Sequence, residues 1–323
     1  MKGKNMNYQK ELEKSVIDNQ KDSGLKTILI IDGEDKRAIK AAELLSKNKL
    51  VEPILLTKNK IENTSVKQHI FNETEYQEFV EKFVELRKGK ETLEAAQKQM
   101  SSLPFYGTML LKLNKVDGVI GGLNYPTADI LRAAFKIIGP TPGIKTISSV
   151  MIVHKEEQKF LFSDISVNIA PTVEQLVDIA KNANDFALQL GFDPQLAFLS
   201  FSTSRSAVAP QSELVEKASQ IYNESATKKA LGEIQFDAAL DEAVRSQKYK
   251  GELPKSNANV LIFPNLDAGN IGYKIAQRLG GYGAIGPIIT GIASPINDLS
   301  RGATVEDIYN TALITALQAK GDK

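Results

Sequence analysis

The 323-residue chain has no cysteine and only two histidines, His69 and His154. Without thiols it has no disulfide, no thiolate metal ligand and no cysteine nucleophile. Two histidines without a partner motif do not make a multi-histidine metal site. Net charge is nearly absent too: 40 basic side chains face 39 acidic ones, for +1 overall. That balance gives no global field for nucleic acid or an acidic membrane, so an anionic ligand must be gripped by a local cluster. No stretch approaches the roughly 20 apolar residues that span a bilayer. The opening "MKGKNMNYQKELEKSVIDNQKDSGLK" is polar throughout and lacks the apolar core of a secretory signal. There is no P-loop, no H-E-x-x-H and no G-x-S-x-G. These absences lead us to expect a cytoplasmic protein with no metal site.

What is present is ordinary for a globular protein, 42% hydrophobic and 24% charged, at a length that suggests two domains. "KTILIIDGEDKRAIKAAELLSKNKLVEPILLT" reads strand, turn, helix, strand, with Ile39, Ala42 and Leu45 at helical spacing. This βαβ unit implies a parallel sheet. Its turn, "DGED", is not G-x-G-x-x-G, so a dinucleotide fingerprint is missing where it belongs. Residues 74–100 read as helical and charged. "VDGVI" is a short strand running into "GGLNYPTADILRAAFKII", a glycine turn and a helix with Ala128, Leu131, Phe135 and Ile138 on one face. Two prolines and two glycines crowd "IIGPTPGIKT" (137–146), the expected domain boundary. "TISSVMIV" and "KFLFSDISVN" then flank a polar "HKEEQ" turn, an antiparallel hairpin that leaves His154 exposed. A long helix follows, opened by the capping box Thr172–Gln175 and stopped by Gly191. Strands are expected at 196–203 and 258–265, and helices at "GNIGYKIAQRLGG" and after Thr304.

Three strand-to-helix turns share one makeup: "VIGGLNYPTADILRA", "NLDAGNIGYKIAQRL" and "LSFSTSRSAVAP". In an open α/β sheet ligands bind beyond the C-terminal strand ends, and helix N-termini favour anions there. Gly121, Gly122, Gly269 and Gly272 would let a phosphate approach the backbone. The plain alternative is that each is only a βα turn. "NDLSRGATVED" is equally double. Thr304 and Asp307 fit a capping box, so Asp307 serves a helix start. Alternatively Arg301 clamps an anion, Ser300 hydrogen-bonds and Asp307 accepts a proton. Arg87, Arg132 and Arg278, all on helices, read by default as surface charges.

Taken together these segments resemble the phosphate acetyltransferase (phosphotransacetylase) family and its phosphate butyryltransferase relatives. The blocks are "GEDKRAIKAAELL", "YGTMLLKLNKVDGVIGG", "TADILRAAFKII", "LSFST", "GEIQFDAAL", "NVLIFPNLDAGNIGYKIAQRLGGYGAIGPIITGI" and "SPINDLSRGATVEDI", in family order from about residue 26 to the end. The resemblance implies a two-domain α/β fold like that of isocitrate and isopropylmalate dehydrogenases, with an interdomain cleft. The domains would be 1–145 with 295–323, the C-terminal helix returning to the first, and 146–294. It implies a homodimer that moves an acetyl group reversibly between acetyl phosphate and coenzyme A. Coenzyme A is then a substrate, and no cofactor is required. By resemblance Asp307 is the base for the thiol, Ser300 its thiol-side partner and Arg301 the acetyl-phosphate contact. Arg87, Arg132 and Arg278 match the coenzyme A and phosphate-binding arginines, with Thr203, Gly269 and Asn270 beside them.

The chain also departs from the family pattern. "YPTAD" with Tyr125 and Pro126 stands for "HSTAD", Asn265 replaces an aspartate, and Arg205 replaces a glycine. Ala303 and Ile165 stand where relatives often carry cysteine, so a cysteine is not essential to this chemistry. Inorganic phosphate is an adequate leaving group without Lewis-acid help. Rival functions are transfer of a longer acyl chain such as butyryl, a decarboxylating dehydrogenase on the related fold, and a binding module without catalysis. No cluster of metal-binding aspartates supports the second, and an intact Ser300, Arg301 and Asp307 argue against the third.

Overall fold

The structure, a computed structural model, describes residues 5–319, with side chains from Tyr8 onward. The described chain divides into two units: residues 9–142 with 292–319, and residues 143–291 with 5–8.

The first unit begins with α1 (Asn5–Ser23), an N-terminal helix the sequence reading did not assign. Then come β1 (Thr27–Ile30), α2 (Lys36–Asn48), β2 (Glu52–Thr57) and β3 (Lys67–Ile70). Asp35 caps α2 by accepting from Arg37 N, and Ala38, Ala41, Ala42 and Leu45 form its buried face. The expected stripe was thus rotated slightly, and Ile39 is only half-buried. The segment 74–100 is two helices, α3 (Glu73–Arg87) and α4 (Leu93–Met100). The break is at Lys88, which is left-handed (φ 48°), and Thr92 caps the restart. After α5 (Leu103–Lys112) come β4 (Gly118–Gly121) and α6 (Thr127–Ala133), which widens into a π turn at Ala134–Ile138.

Here an expectation fails. Phe135 and Ala128 are exposed, and the buried face is Ile130, Ala133, Ala134, Ile137 and Ile138. Apolar residues occur on both sides of this helix. Packing against the core formed by α3, α4 and α5 selects the side the spacing did not.

The second unit contains β5 (Ser148–Lys155), β6 (Gln158–Ser163), α7 (Val173–Gln189), β7 (Leu196–Leu199), α8 (Pro210–Ser225) and β8 (Leu231–Ile234). It continues with α9 (Phe236–Leu240), α10 (Glu242–Lys248), β9 (Val260–Ile262), α11 (Leu266–Arg278) and β10 (Gly283–Thr290). Its sheet runs β10-β5-β6-β9-β7-β8. The hairpin β5–β6 is antiparallel, as the sequence suggested, and β10 joins it antiparallel; the remaining pairs are parallel. His154 is not in the turn, which falls at Glu156–Glu157; it is buried at the end of β5, its ring against Tyr8. The Thr172–Gln175 capping box is present in full.

The chain then returns to the first unit with β11 (Ile296–Asp298) and α12 (Val305–Gln318). The sheet there runs β11-β4-β1-β2-β3, and every pair is parallel. Side chains alternate across a strand. Leu29 and Ile31 therefore enter the core made with α3 to α6, while Ile28 lies on the face of α12, near Thr315. β1 leads through α2 to β2 on one side, and β4 lies on its other side. The strand order therefore reverses between β1 and β4, the crevice position at which open α/β sheets place ligands.

Candidate functional site

At this switch point the strand ends carry Asp32 after β1, Gly122 after β4 and Asp298 at the end of β11. The carboxylate of Asp32 accepts the backbone N–H groups of Gly122 (2.8 Å), Leu123 (3.1 Å) and Asn124 (2.8 Å). The turn expected to cradle a phosphate is therefore already filled by the chain's own anion. Its glycines serve close packing. A Cβ on Gly121 would strike Ile31, and one on Gly122 would collide with Leu299 O and come within 2.5 Å of Asp298 Oδ1. Gly122 also has φ +131°, which a side chain rarely tolerates. In the second unit the missing side chain of Gly269 makes room for the carbonyl of Asp164, and that of Gly272 for the Phe263 ring.

Past Asp298 the chain makes the turn 299–303. Leu299 N donates to Gly121 O at 2.7 Å, and Ser300 O accepts from Ala303 N at 2.9 Å. Ser300 and Arg301 are exposed on this turn, and among the described residues the Arg301 guanidinium has no hydrogen bond. The turn is held from below by a residue the sequence reading missed. Arg37 Nη1 donates to the carbonyls of Arg301 (2.8 Å) and Ala303 (2.9 Å). Its Nε and Nη2 grip Asp35 at 3.0 and 2.9 Å. The same guanidinium, with burial opposing it, holds the Asp35 carboxyl below the usual range. No local spacing signals this clamp, because its two ends are more than 260 residues apart.

Asp307 completes the capping box of α12. Its Oδ2 accepts from Thr304 N and Thr304 Oγ1, both at 2.8 Å, and its own N–H donates to Thr304 Oγ1 at 3.2 Å. One oxygen of this half-buried carboxylate is committed to the cap; Oδ1 has no partner among the described residues.

Arg132, on α6, is exposed and pairs with Asp129 at 2.7 Å. Arg87, at the end of α3, lies 3.9 Å from Glu91 and reaches Lys136 O at 3.4 Å. Lys136 is one helical turn beyond Arg132 and is bound to Glu91 at 3.0 Å. The two arginines thus flank one face of the α6 segment. Tyr125, the family departure, lies in the turn before α6, where burial, then Asp32 and Glu34, push its phenol up to about 12. His69, which has no partner motif in the sequence, is held by Glu75 (2.8 Å), six residues on at the start of α3.

In the second unit Asp164 organises the loop after β6. It accepts the N–H groups of Ser149, Ser166, Val167 and Asn168. Asn270 Nδ2 donates to Ile165 O at 3.1 Å, so Gly269 and Asn270 both fasten this loop to α11. Asn265 caps α11 by accepting from Ala268 N, which an aspartate would do equally well. Thr203 is buried in the turn after β7, bonded to Gln235. Beside it Ser204 (φ 48°) and Arg205 (φ 62°) are left-handed, the conformation that makes glycine the natural occupant of position 205. Arg278 ends α11.

Parallel strands with polar and charged side chains on the loops at their C-terminal ends define an open α/β ligand-binding scaffold, here with an exposed guanidinium and a carboxylate on one terminal segment. Residues 12–316 match the family model described as phosphate acetyl/butaryl transferase. The chain is 42% identical over 300 residues to the phosphate acetyltransferase of Mycoplasma capricolum, covering 90% of this chain and 93% of that one. Its fold is similar to a phosphotransacetylase from Streptococcus pyogenes, at TM-score 0.87 and 38% identity over 95% of this chain and 96% of that one. A phosphotransacetylase from Staphylococcus aureus gives 0.86 and 37%, covering 96% and 98%. The chain belongs to the phosphate acetyl/butyryl transferase family and is an acyltransferase.

Proposed function

We propose that the protein catalyses reversible acetyl transfer between acetyl phosphate and coenzyme A, with the reacting groups supplied by Ser300, Arg301 and Asp307. The observation that carries the site assignment is the clamped turn 299–303. It presents an unpaired guanidinium, its backbone is fixed by Arg37, and a carboxylate with one free oxygen follows six residues on.

A thiol with an ordinary pKa of about 8.5 is mostly protonated at neutral pH, and attack needs the thiolate. Asp307 Oδ1 takes the thiol proton as sulfur attacks the acetyl carbonyl, with Ser300 hydrogen-bonding on the thiol side. The new C–S bond replaces the C–O bond to phosphorus, and inorganic phosphate leaves. Arg301 binds the phosphoryl group and stabilises charge on the carbonyl oxygen, a role whose removal costs on the order of 100- to 1000-fold in rate. Holding both substrates together makes the transfer direct, without an acyl-enzyme. Arg87, Arg132, Arg278 and Thr203 bind coenzyme A and phosphate; Gly269 and Asn270 contribute through the 164–168 loop they hold.

The protein works in the cytoplasm as a homodimer, with no cofactor beyond its substrates. The dimer reading is supported by an uncovered apolar stripe on α11. Ile271, Ile275 and the following Leu279 are 56, 53 and 84% exposed. Ile275 also lines an apolar cavity of about 570 Å³, with Phe160 and Phe236.

The test is thioester absorbance with purified protein, coenzyme A, and acetyl, propionyl or butyryl phosphate. Acetyl phosphate should react fastest, and Arg301→Ala should lose most turnover. Preference for butyryl phosphate, or full activity of Arg301→Ala, would refute the corresponding part.

A further inference from the structure

The mechanism leaves one buried ionisable group beneath the reacting turn unused. Asp298 is 4% exposed, two residues before Ser300. Its Oδ2 accepts from Thr127 Oγ1 at 2.7 Å, at the first residue of α6. Its Oδ1 is closed off and has no partner. A buried, unpaired carboxylate oxygen is costly, and proteins keep such groups sparingly.

We propose that Asp298 is a positioning residue of this reaction: by gaining or losing a proton at its unpartnered oxygen it resets the turn that carries Ser300 and Arg301, and so governs turnover in weak acid. The inference rests on the assignment of that turn to the reaction.

Two carboxylates lie at this end of the sheet, Asp32 after β1 and Asp298 on β11, with β4 between their strands. They are bonded differently. Asp32 receives three backbone N–H groups, while Asp298 receives one hydroxyl. Burial pushes its carboxyl up to about 6, opposed by the Thr127 hydrogen bond and aided by the charge of Asp32. The other charged groups nearby are already engaged. Asp35 and Arg37 bind each other, Asp129 and Arg132 bind each other, and Asp307 is bonded to Thr304. Tyr125 remains a neutral phenol, and Arg301 carries an exposed fixed charge.

The mechanical link is short. Asp298 Oδ1 and Leu299 O both crowd the point where a side chain on Gly122 would begin. A proton placed on Oδ1 needs an acceptor, and the Leu299 carbonyl is the one the turn offers. Making that bond pulls on the backbone two residues before Arg301 and loosens the Thr127 contact to α6. The carboxylate form leaves the turn as described, so activity should fall as Asp298 is protonated.

The test has two arms. Carboxyl NMR of the ligand-free, aspartate-labelled protein should show one resonance titrating with a midpoint near 6 that is missing in Asp298→Asn. Turnover at saturating coenzyme A and acetyl phosphate should fall about tenfold per pH unit below that midpoint in the wild type. It should lack this limb in Asp298→Asn, and Thr127→Val should move the limb to higher pH. Substrate ionisation is common to all three proteins and cannot produce the difference. If Asp298→Asn does not fold, the Thr127→Val shift decides. An unchanged limb in Asp298→Asn, or an unmoved midpoint in Thr127→Val, overturns the inference. With Arg301→Ala inactive, that result leaves the site assignment standing. Full activity of Arg301→Ala removes the assignment and this inference together.

Discussion

Asp307 holds a helix start and is also assigned to take a proton, and substitutions can separate the two duties. The capping bonds run through one oxygen, Oδ2, to Thr304 N and Oγ1, while Thr304 Oγ1 accepts from Asp307 N. Thr304→Ala removes the hydroxyl and with it two of these three bonds. Loss of such a cap costs about 1 kcal/mol, within a range of about 0.5–2. In a unit of this size that lowers Tm by roughly 2–4 °C. Asp307→Asn keeps an amide oxygen in place for both bonds to Thr304. It gives up only the charge at the helix N-terminus, worth about 0.3–1 kcal/mol and screened by salt. The rate effects should run the other way. Asn cannot accept the thiol proton, so turnover should fall by about 100- to 10,000-fold. Thr304→Ala leaves the carboxylate in place and should stay close to wild type. Calorimetry and thioester formation measured on both variants give the comparison. If Asp307→Asn turns over near normally, or if both variants lose activity in step with their loss of stability, Asp307 is a cap and nothing more.

Arg205→Gly should stabilise the protein. Relief of a left-handed side chain gains about 1–2 kcal/mol, and the flexibility of glycine in the unfolded chain returns about 0.5–1 of it. The ion pairs lost are long, 3.9 Å to exposed Glu213 and 3.8 Å to half-buried Glu216, and join an exposed guanidinium, so they are worth little. A lower midpoint in urea would show that Arg205 makes a contact worth more than its strain. For the assembly, Ile275→Asp on α11 should convert a dimer to a monomer in sedimentation velocity; an unchanged sedimentation coefficient places the interface elsewhere.

Local signals in the sequence translated well. The βαβ start was legible because strands buried on both faces read as unbroken apolar runs, as in "TILI". The capping boxes at Thr172 and Thr304 were legible because all their partners lie within three residues. The face of α6 was not, since apolar residues flank both sides and a π turn follows. His154 was misjudged because Tyr8 meets it only through the tertiary fold, and the Glu75 and Tyr106 partners of His69 carry no sequence motif. At the proposed site the candidate residues stand together in "NDLSRGATVED", but their supports were not legible. Arg37, Asp32 and Asp298 act on turns far along the chain. The available hint was weaker: both "IID" and "IND" end parallel strands in a carboxylate, at the sheet edge where ligands gather.

The occupied turn after β4 has a consequence for how anions are held. Main-chain amides are supplied by every residue except proline, so a site built from them survives most point mutations. Here Asp32 has taken those amides. On the proposed assignment, capture of phosphate and coenzyme A falls mainly to individual guanidinium groups, each of which one missense change can delete. The grip on substrate should accordingly weaken with added salt and drift readily between related enzymes, even while the sheet beneath it stays constant.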